Sequence, residues 1–492
     1  MRYLLGIDFG GGSSKATLLS EMGEIVALST VEYPTLYPEA GACEQSPEDW
    51  IRALTENTRK IIAKSGIDPT DISAVAIDSA THTSVVCDGD FKPLRNAIHW
   101  TDSRSRKEAA ELYSNYGEMI FEKTFHKPDT IWTLPQLLWL KRREPELFAK
   151  IKYIFFEKDY IRYFLTGVYC TDYIEAEGSM LFDCRTMQWD KELAQLVGID
   201  VSLLPPIKKP TDIIGSVTAK GASATGLAVG TPVICGTTDT VMEIFASGAV
   251  KRKDMTVKLA TAGRICVITD RAYPDRHIIN YSHIIDGLWY PGTATKSAAA
   301  SYRWYRDVFG GEYKELDLGA MDVPVGSDGL IFHPYLNGEL TPYADPLLSG
   351  SFTGVRATHT RAHFTHAVLE GVALSLLDNK MYLDTMDIPY NSVATLIGGG
   401  AKGRLWAGIT ADVLGITLRI TESSDSSLGS AMLAGIAVGV FSSAEEAAEK
   451  CVKTKDMIYP NKDNTEKYRR IFEKYKKIHD ALAPIYSEEF NI

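Results

Sequence analysis

Asp8, Gly10, Gly11, Gly12, Ser13, Ser14 and Lys15 fall within eight residues, flanked by the apolar runs Leu4–Ile7 and Ala16–Leu18. An apolar strand, a glycine turn and a second strand make a hairpin whose tip exposes backbone N–H groups, a form suited to phosphate. The three glycines are free to take positive φ, and Ser13, Ser14 and Lys15 add donors. An acid beside a phosphate loop is unfavourable without a divalent cation, so Asp8 points to Mg²⁺. An ordinary hairpin with a glycine turn is the competing reading, and this stretch alone does not separate the two. The dinucleotide pattern G-x-G-x-x-G and the Walker pattern G-x-x-x-x-G-K-[ST] both fail here.

A second group is Gly236-Thr237-Thr238-Asp239, between the apolar Val233–Cys235 and the helical pattern of Val241, Met242, Ile244 and Phe245. As a general base, Asp239 would take a proton from an attacking hydroxyl, a role worth roughly 10²–10⁴ in rate. Helix capping is an equally good reason for an acid at that junction. Two further clusters end apolar strands: Asp78-Ser79-Ala80-Thr81-His82-Thr83 and Trp100-Thr101-Asp102-Ser103-Arg104. The second offers a ring face, a carboxylate and a guanidinium to a polyhydroxylated ligand. Asp102 reads equally as a cap on a helix beginning near Ser103, and His82 as a surface histidine.

These groups need elements to hold them. Strands are expected over Ile72–Ile77, Val85–Cys87 and Ala97–Trp100, with a serine-capped helix opening at Ser46-Pro47-Glu48-Asp49. Helical periodicity covers Leu134–Phe148, Glu157–Phe164, Arg361–Met381 and Lys402–Leu414. Met255–Ile268 repeats the opening motif, with Ala260-Thr261-Ala262-Gly263 as its turn. Two halves that each begin with such a hairpin imply a duplicated α/β domain closing on a nucleotide, with the boundary near residue 250. Ser442–Cys451 and Glu466–Ala483 read as charge-laced amphipathic helices, surface elements or a homodimer contact.

At 492 residues the chain is too long for one core, and 45% hydrophobic with 23% charged residues is a soluble globular composition. The net charge of −11, with no basic tract, makes nucleic acid and anionic membranes poor partners. Seven scattered cysteines without a C-x-x-C pair suggest reduced thiols and a cytoplasmic protein. The run before Asp8 is too short for a signal peptide.

Taken together, the chain resembles the FGGY family of carbohydrate kinases. The segment from Gly350 to Glu370 follows that family's C-terminal signature, with Phe352, Gly354-Val355, His363-Phe364, Ala367 and Glu370 in place. Gly329–Pro346 resembles its "GERTP" loop, with Leu340 where arginine is usual, and Leu396–Trp406 its adenosine loop. The resemblance implies two actin-like (ribonuclease H-like) domains, 1–248 for sugar and 249–492 for nucleotide, with an ATP/sugar cleft between them. It implies ATP and Mg²⁺, with Asp8 near the metal and Asp239 as catalytic base. Thr81, His82 and Asp102 would contact the sugar. Gly10, Gly11, Gly12, Ser13, Ser14, Lys15, Thr261, Ala262 and Gly263 would hold the phosphates, and Gly398, Gly399, Gly400 and Ala401 the nucleoside.

The chain departs from the family at Gly11, where threonine is usual, and at Ala262, where serine is usual. Each lost hydroxyl removes about 0.5–1.5 kcal/mol. Thr81-His82 resembles the pentulose kinases of the family and lacks the Arg-Glu pair of its glycerol kinases. The expected reaction is phosphorylation of a terminal hydroxyl of a ketopentose such as xylulose. A hexulose or alditol kinase, or an ATP- and sugar-binding switch that transfers nothing, stands as the alternative.

Overall fold

The computed structural model describes residues 1–487, so the far end of the expected second domain lies outside the described residues. Two compact units divide the chain. The first comprises Met1–Val250, Tyr281–Asp286 and Ser423–Val452; the second comprises Lys251–Asn280, Gly287–Glu422 and the chain from Lys453.

In the first unit a six-stranded sheet is built from β1 (Tyr3–Phe9), β2 (Ser13–Ser20), β3 (Ile25–Glu32), β4 (Ile72–Ser79), β5 (Ile213–Ser216) and β6 (Pro232–Ile234). Its order is β3-β2-β1-β4-β6-β5, antiparallel at both ends and parallel across β1, β4 and β6. Leu5, Ile7, Val75, Ile77 and Val233 are fully buried in its core; each such side chain contributes about 1.5–3 kcal/mol by leaving water. The helix Pro47–Ser65 packs Trp50, Leu54 and Ile61 into this core. It starts on Ser46, whose hydroxyl accepts the Glu48 N–H at 3.2 Å, and ends on Gly66 at φ 67°.

The helix Ser426–Ala437 lies against β1 so closely that a Cβ on Gly6 would sit 2.0 Å from the Ser427 carbonyl oxygen. Glycine at that one strand position admits the helix.

The second unit has its own six-stranded sheet: β7 (Met255–Leu259), β8 (Gly263–Val267), β9 (Gly292–Thr295), β10 (Val393–Ile397), β11 (Thr417–Thr421) and β12 (Thr454–Ile458). The order β9-β8-β7-β10-β11-β12 carries the same sequence of antiparallel and parallel pairings as the first sheet. Both expected hairpins are therefore present, each as the first two strands of a sheet of one topology. The helix Arg361–Thr385 fills the second core with Val368, Leu369, Val372 and Leu376.

Some boundaries differ from expectation. Leu134–Phe148 is two helices, Thr133–Arg143 and Pro145–Phe148, because Pro145 cannot continue the first. The helix expected from Ser103 begins at Arg106, and the one expected from Lys402 begins at Arg404 after a 3₁₀ turn over Gly399–Lys402. Among the described residues no helix is long and apolar enough to cross a membrane. None of the seven cysteines is in a disulfide.

Candidate active site

Strand register assembles the first unit's acids. Asp8 on β1 is level with Asp78 on the parallel β4 and with Lys15 on the antiparallel β2. A bridge from Ser79 to Thr238 brings the start of the helix Asp239–Ala246 to the same sheet end. Gly236 makes that approach with φ 70°, and a Cβ there would fall 2.1 Å from the Ile77 carbonyl oxygen. Asp425, remote in sequence, completes the group: its Oδ2 accepts Lys15 Nζ at 2.8 Å, and its Oδ1 caps the helix Ser426–Ala437 through Ser427.

Burial, with the charges of Asp425 and Asp239, pushes the Asp8 carboxyl up to about 7. Burial and the neighbouring Asp8 raise Asp78 well above the carboxylate range. Lys15 is pulled down by burial, but Asp425 outweighs this and raises it. Two carboxylates thus act on Asp8 against one ammonium, an imbalance that fits a divalent cation. Among the described residues no three metal-ligating side chains converge on one point. Mg²⁺ commonly uses one or two carboxylates plus phosphate oxygens, so Asp8 fits such a cation.

Asp239 is the first helical residue; the capping position falls to Thr238, whose hydroxyl has no partner. Asp239 Oδ1 accepts the Thr240 N–H at 2.6 Å, and the residue is half-buried at the sheet end.

His82, expected on one reading at the surface, is 4% exposed. Its Nε2 lies 2.7 Å from Tyr281 Oη, its ring is 5.0 Å from that of Trp132, and burial holds it well below the ordinary histidine range. Gly178 presses against the ring, since a Cβ there would lie 1.5 Å from His82 Cε1. Thr81 beside it is half-buried. Asp102 is 2% exposed and caps no helix. Its Oδ2 accepts the Cys43 N–H at 2.8 Å and its Oδ1 the Arg104 N–H at 2.9 Å, while the Arg104 guanidinium ion-pairs with it at 2.8 Å. These bonds already engage both oxygens.

At the first glycine loop, none of Gly10, Gly11 and Gly12 has positive φ, contrary to expectation. Glycine serves there as bare backbone: around Gly11 the nearest atom to an added Cβ is His99 Nε2, 4.0 Å away. The loop's carbonyls face protein donors. Tyr33 Oη reaches Gly10 O at 2.5 Å, Thr35 Oγ1 reaches Gly11 O at 2.6 Å, and the Tyr33 N–H reaches Gly12 O at 3.0 Å. Ser13 stays half-buried at the start of β2, whereas the Ser14 side chain is fully buried against Asn57, whose Nδ2 donates to its Oγ at 3.0 Å.

The second unit holds a cavity of about 990 Å³, lined by Tyr302, Leu318, Met321, Gly399, Trp406 and Ile409 among others. It is a mostly apolar slot at the upper end of ligand-pocket size. Gly398 takes φ 90°, and a Cβ there would lie 2.6 Å from Leu259 O; at Gly400 one would lie 2.7 Å from Leu259 Cβ. Gly399 faces open space. Ala401 follows in the same turn. Tyr302 Oη donates to Asp317 Oδ1 at 2.7 Å, fixing the ring on one wall. Thr261 and Ala262 form the exposed tip of the second hairpin, and Thr261 O accepts the Ala298 N–H at 3.0 Å. Gly263 is buried, its missing side chain replaced by Thr295 Cγ2, 2.7 Å from where a Cβ would stand.

Sequence reasoning passed over Asp425, Glu157, Glu175 and Tyr281. Only Asp425 carried a local signal, the capping pattern Asp425-Ser426-Ser427 before an apolar helix.

Two family models match the chain: the N-terminal domain of the FGGY family of carbohydrate kinases over residues 3–246, and its C-terminal domain over 233–438. The xylulose kinase of Bacillus subtilis is 31% identical over 97% of both chains, and the gluconokinase of the same organism 29% identical over 99% of this chain and 97% of its own. The crystal structure of xylulose kinase from Rhodospirillum rubrum superposes with a TM-score of 0.91 at 28% identity, covering 99% of this chain and 100% of its own. Matched over residues 3–438 by the two models and over nearly its full length by whole enzymes, the chain belongs to the FGGY family of carbohydrate kinases, phosphotransferases that act on sugars.

Proposed function

We propose that this kinase transfers the γ-phosphoryl group of ATP to a terminal hydroxyl of a ketopentose such as xylulose. The observation that carries the reading is Asp239, held by Gly236 and the Ser79–Thr238 bridge at the sheet end that also bears Asp8 and leads to His82. The xylulose kinases among its relatives support the choice of acceptor.

Asp239 accepts the proton of the sugar hydroxyl as its oxygen attacks the γ-phosphorus; the bond to the β-phosphate oxygen breaks and ADP leaves. His82 and Thr81 orient the acceptor, with Asp102 holding the strand end behind them. Gly10, Gly11, Gly12, Ser13 and Lys15, together with Thr261, Ala262 and Gly263, hold the phosphates, while Gly398–Ala401 and the cavity beside Trp406 hold the nucleoside. Asp8 holds Mg²⁺, which when bound supplies positive charge to the phosphate oxygens. Lys15, restrained by Asp425, keeps its ammonium fixed and charged for the same purpose.

The test is ATP consumption with Mg²⁺ against ketopentoses, ketohexoses, alditols and aldonates, for wild type and Asp239→Asn. Turnover that depends on a ketopentose and collapses in the variant supports the reading. ATP turnover indifferent to every sugar, or a variant equal to wild type, overturns it.

A further inference from the structure

Around Asp239 the first unit concentrates buried polar atoms that the protein leaves unpaired, both oxygens of Glu175, His82 Nδ1 and Thr238 Oγ1, together with Glu157, whose carboxyl has only the hydroxyls of Thr83 and Tyr33 beside it. Buried polar groups are nearly always paired, so such a cluster in one place points to a ligand that completes it. The two glutamates are placed there by backbone. Glu157 opens the helix Glu157–Thr166, and its N–H donates to Thr83 O at 3.0 Å. Glu175 sits in the short helix Tyr173–Glu177 that Asp172 caps, and its Oε1 lies 3.9 Å from His82 Nδ1. Both side chains are fully buried, and both sense the charge of Asp239.

The adjacent cations are already committed. Lys158 Nζ is 2.6 Å from Asp159 and 2.8 Å from Asp172; the Arg162 guanidinium is 2.9 Å from Asp159 and donates to the carbonyls of Cys170 and Cys235. Both charges are thus balanced by Asp159 and Asp172, and only the Arg162 Nε–H is left without a partner.

We propose that Glu157 and Glu175 are specificity-determining residues: their carboxyl groups pair with hydroxyls of a neutral ketose or polyol, and they exclude acceptors that carry a carboxylate. The inference rests on the reading that the Thr81–Thr83 loop and Asp239 bound the acceptor site. Burial raises both glutamates well above the usual range, which supports it. A protonated carboxyl offers one donor and one acceptor, the same complement as a hydroxyl. An aldonate brings a charge into a site with Asp239 where Lys158 and Arg162 are already paired with Asp159 and Asp172, and a poorly paired buried charge is strongly disfavoured.

The experiment measures kcat and KM for a ketopentose, the matching alditol and the matching aldonate, with KM for ATP, in wild type, Glu157→Gln, Glu175→Gln and Glu175→Ala. Wild type should use the aldonate at about one-hundredth or less of the ketopentose kcat/KM. Glu175→Ala should raise the ketopentose KM about 10-fold or more with KM for ATP unchanged, and the Gln variants should recover part of that loss. Glu157→Gln and Glu175→Gln are near-isosteric, and thermal melting with ATP binding verifies that each is folded. Equal use of the aldonate, or an acceptor KM unmoved in all three variants, overturns the inference. Asp239→Asn separates it from the reading beneath: a dead Asp239→Asn with silent glutamate variants refutes only this inference, whereas an active Asp239→Asn refutes the assignment of the base.

Discussion

Asp8 and Asp78 stand level on neighbouring parallel strands, two buried carboxyls side by side at one sheet end, with Ser430 Oγ donating to Asp78 Oδ2 at 2.5 Å. Their environment assigns different roles. Burial and Asp8 raise Asp78 well above the carboxylate range, which favours its neutral form, whereas Asp8 lies level with Lys15 and is the one whose charge a cation would stabilise. Asp8→Asn should weaken the Mg²⁺ requirement by about 10–100-fold in apparent affinity. Asp78→Asn, an isostere of the neutral acid, should change it far less. A Mg²⁺ titration of turnover at saturating ATP and sugar compares the two directly.

Asp239→Asn keeps the size and removes the base. A loss of roughly 10²–10⁴ in kcat is expected, with KM for ATP little altered. Single-turnover kinetics with a ketopentose reads the chemical step itself.

Gly178→Ala sets a methyl where the His82 ring now stands, 1.5 Å from Cε1 and 1.8 Å from Nδ1. The ring must move, and a shift of about 1 Å at a positioning residue can lower kcat/KM by about 10²-fold. The loss should appear with the sugar and not in ATP binding.

The glycines of the nucleotide loop should divide. Gly400→Ala forces a methyl to within 2.7 Å of Leu259 Cβ and should destabilise the second unit by about 1–3 kcal/mol. Gly399→Ala points into open space and should leave the melting temperature unchanged. Calorimetry together with nucleotide titration distinguishes the two effects.

Two further buried acids, Glu177 and Glu339, give a pH dependence of stability. Burial pushes Glu177 up to about 8 and Glu339 up to about 7, although Ser282 N–H and hydroxyl bond the first and Thr295, Lys296 and Leu340 bond the second. With folded values above the unfolded one, their stabilisation is complete below about pH 4.5 and is lost as pH rises through 7 to 8. Between pH 5 and 8 the melting temperature should fall, by roughly 2–4 °C for each kcal/mol. Glu177→Gln and Glu339→Gln should each flatten that slope.

Much of this was written locally in the chain. Both hairpins, the strand before Asp78 and the helix after Asp239 were legible because glycine runs, apolar alternation and helical periods each span fewer than about 20 residues. The glycines of the first loop were legible as a turn but misread in conformation, since bare backbone and left-handed backbone leave the same mark in sequence. Glu157 and Glu175 had no such mark, and Asp425 only that of a helix cap. Asp425 meets Lys15 across 410 positions, and the glutamates meet Thr83 and His82 across more than 70, so tertiary packing alone assigns them.

The helix that presses on Gly6 is made from residues 426–437, more than 400 positions after the strand it covers. On the ribosome the first unit therefore emerges with an open sheet face, and β1 remains without that covering helix until residues 426–437 have been synthesised. Fragments ending before Ser423 should expose this apolar face and depend on chaperones. The first unit therefore completes its fold only after the strands and helices between Lys251 and Glu422, most of the second unit, have been made.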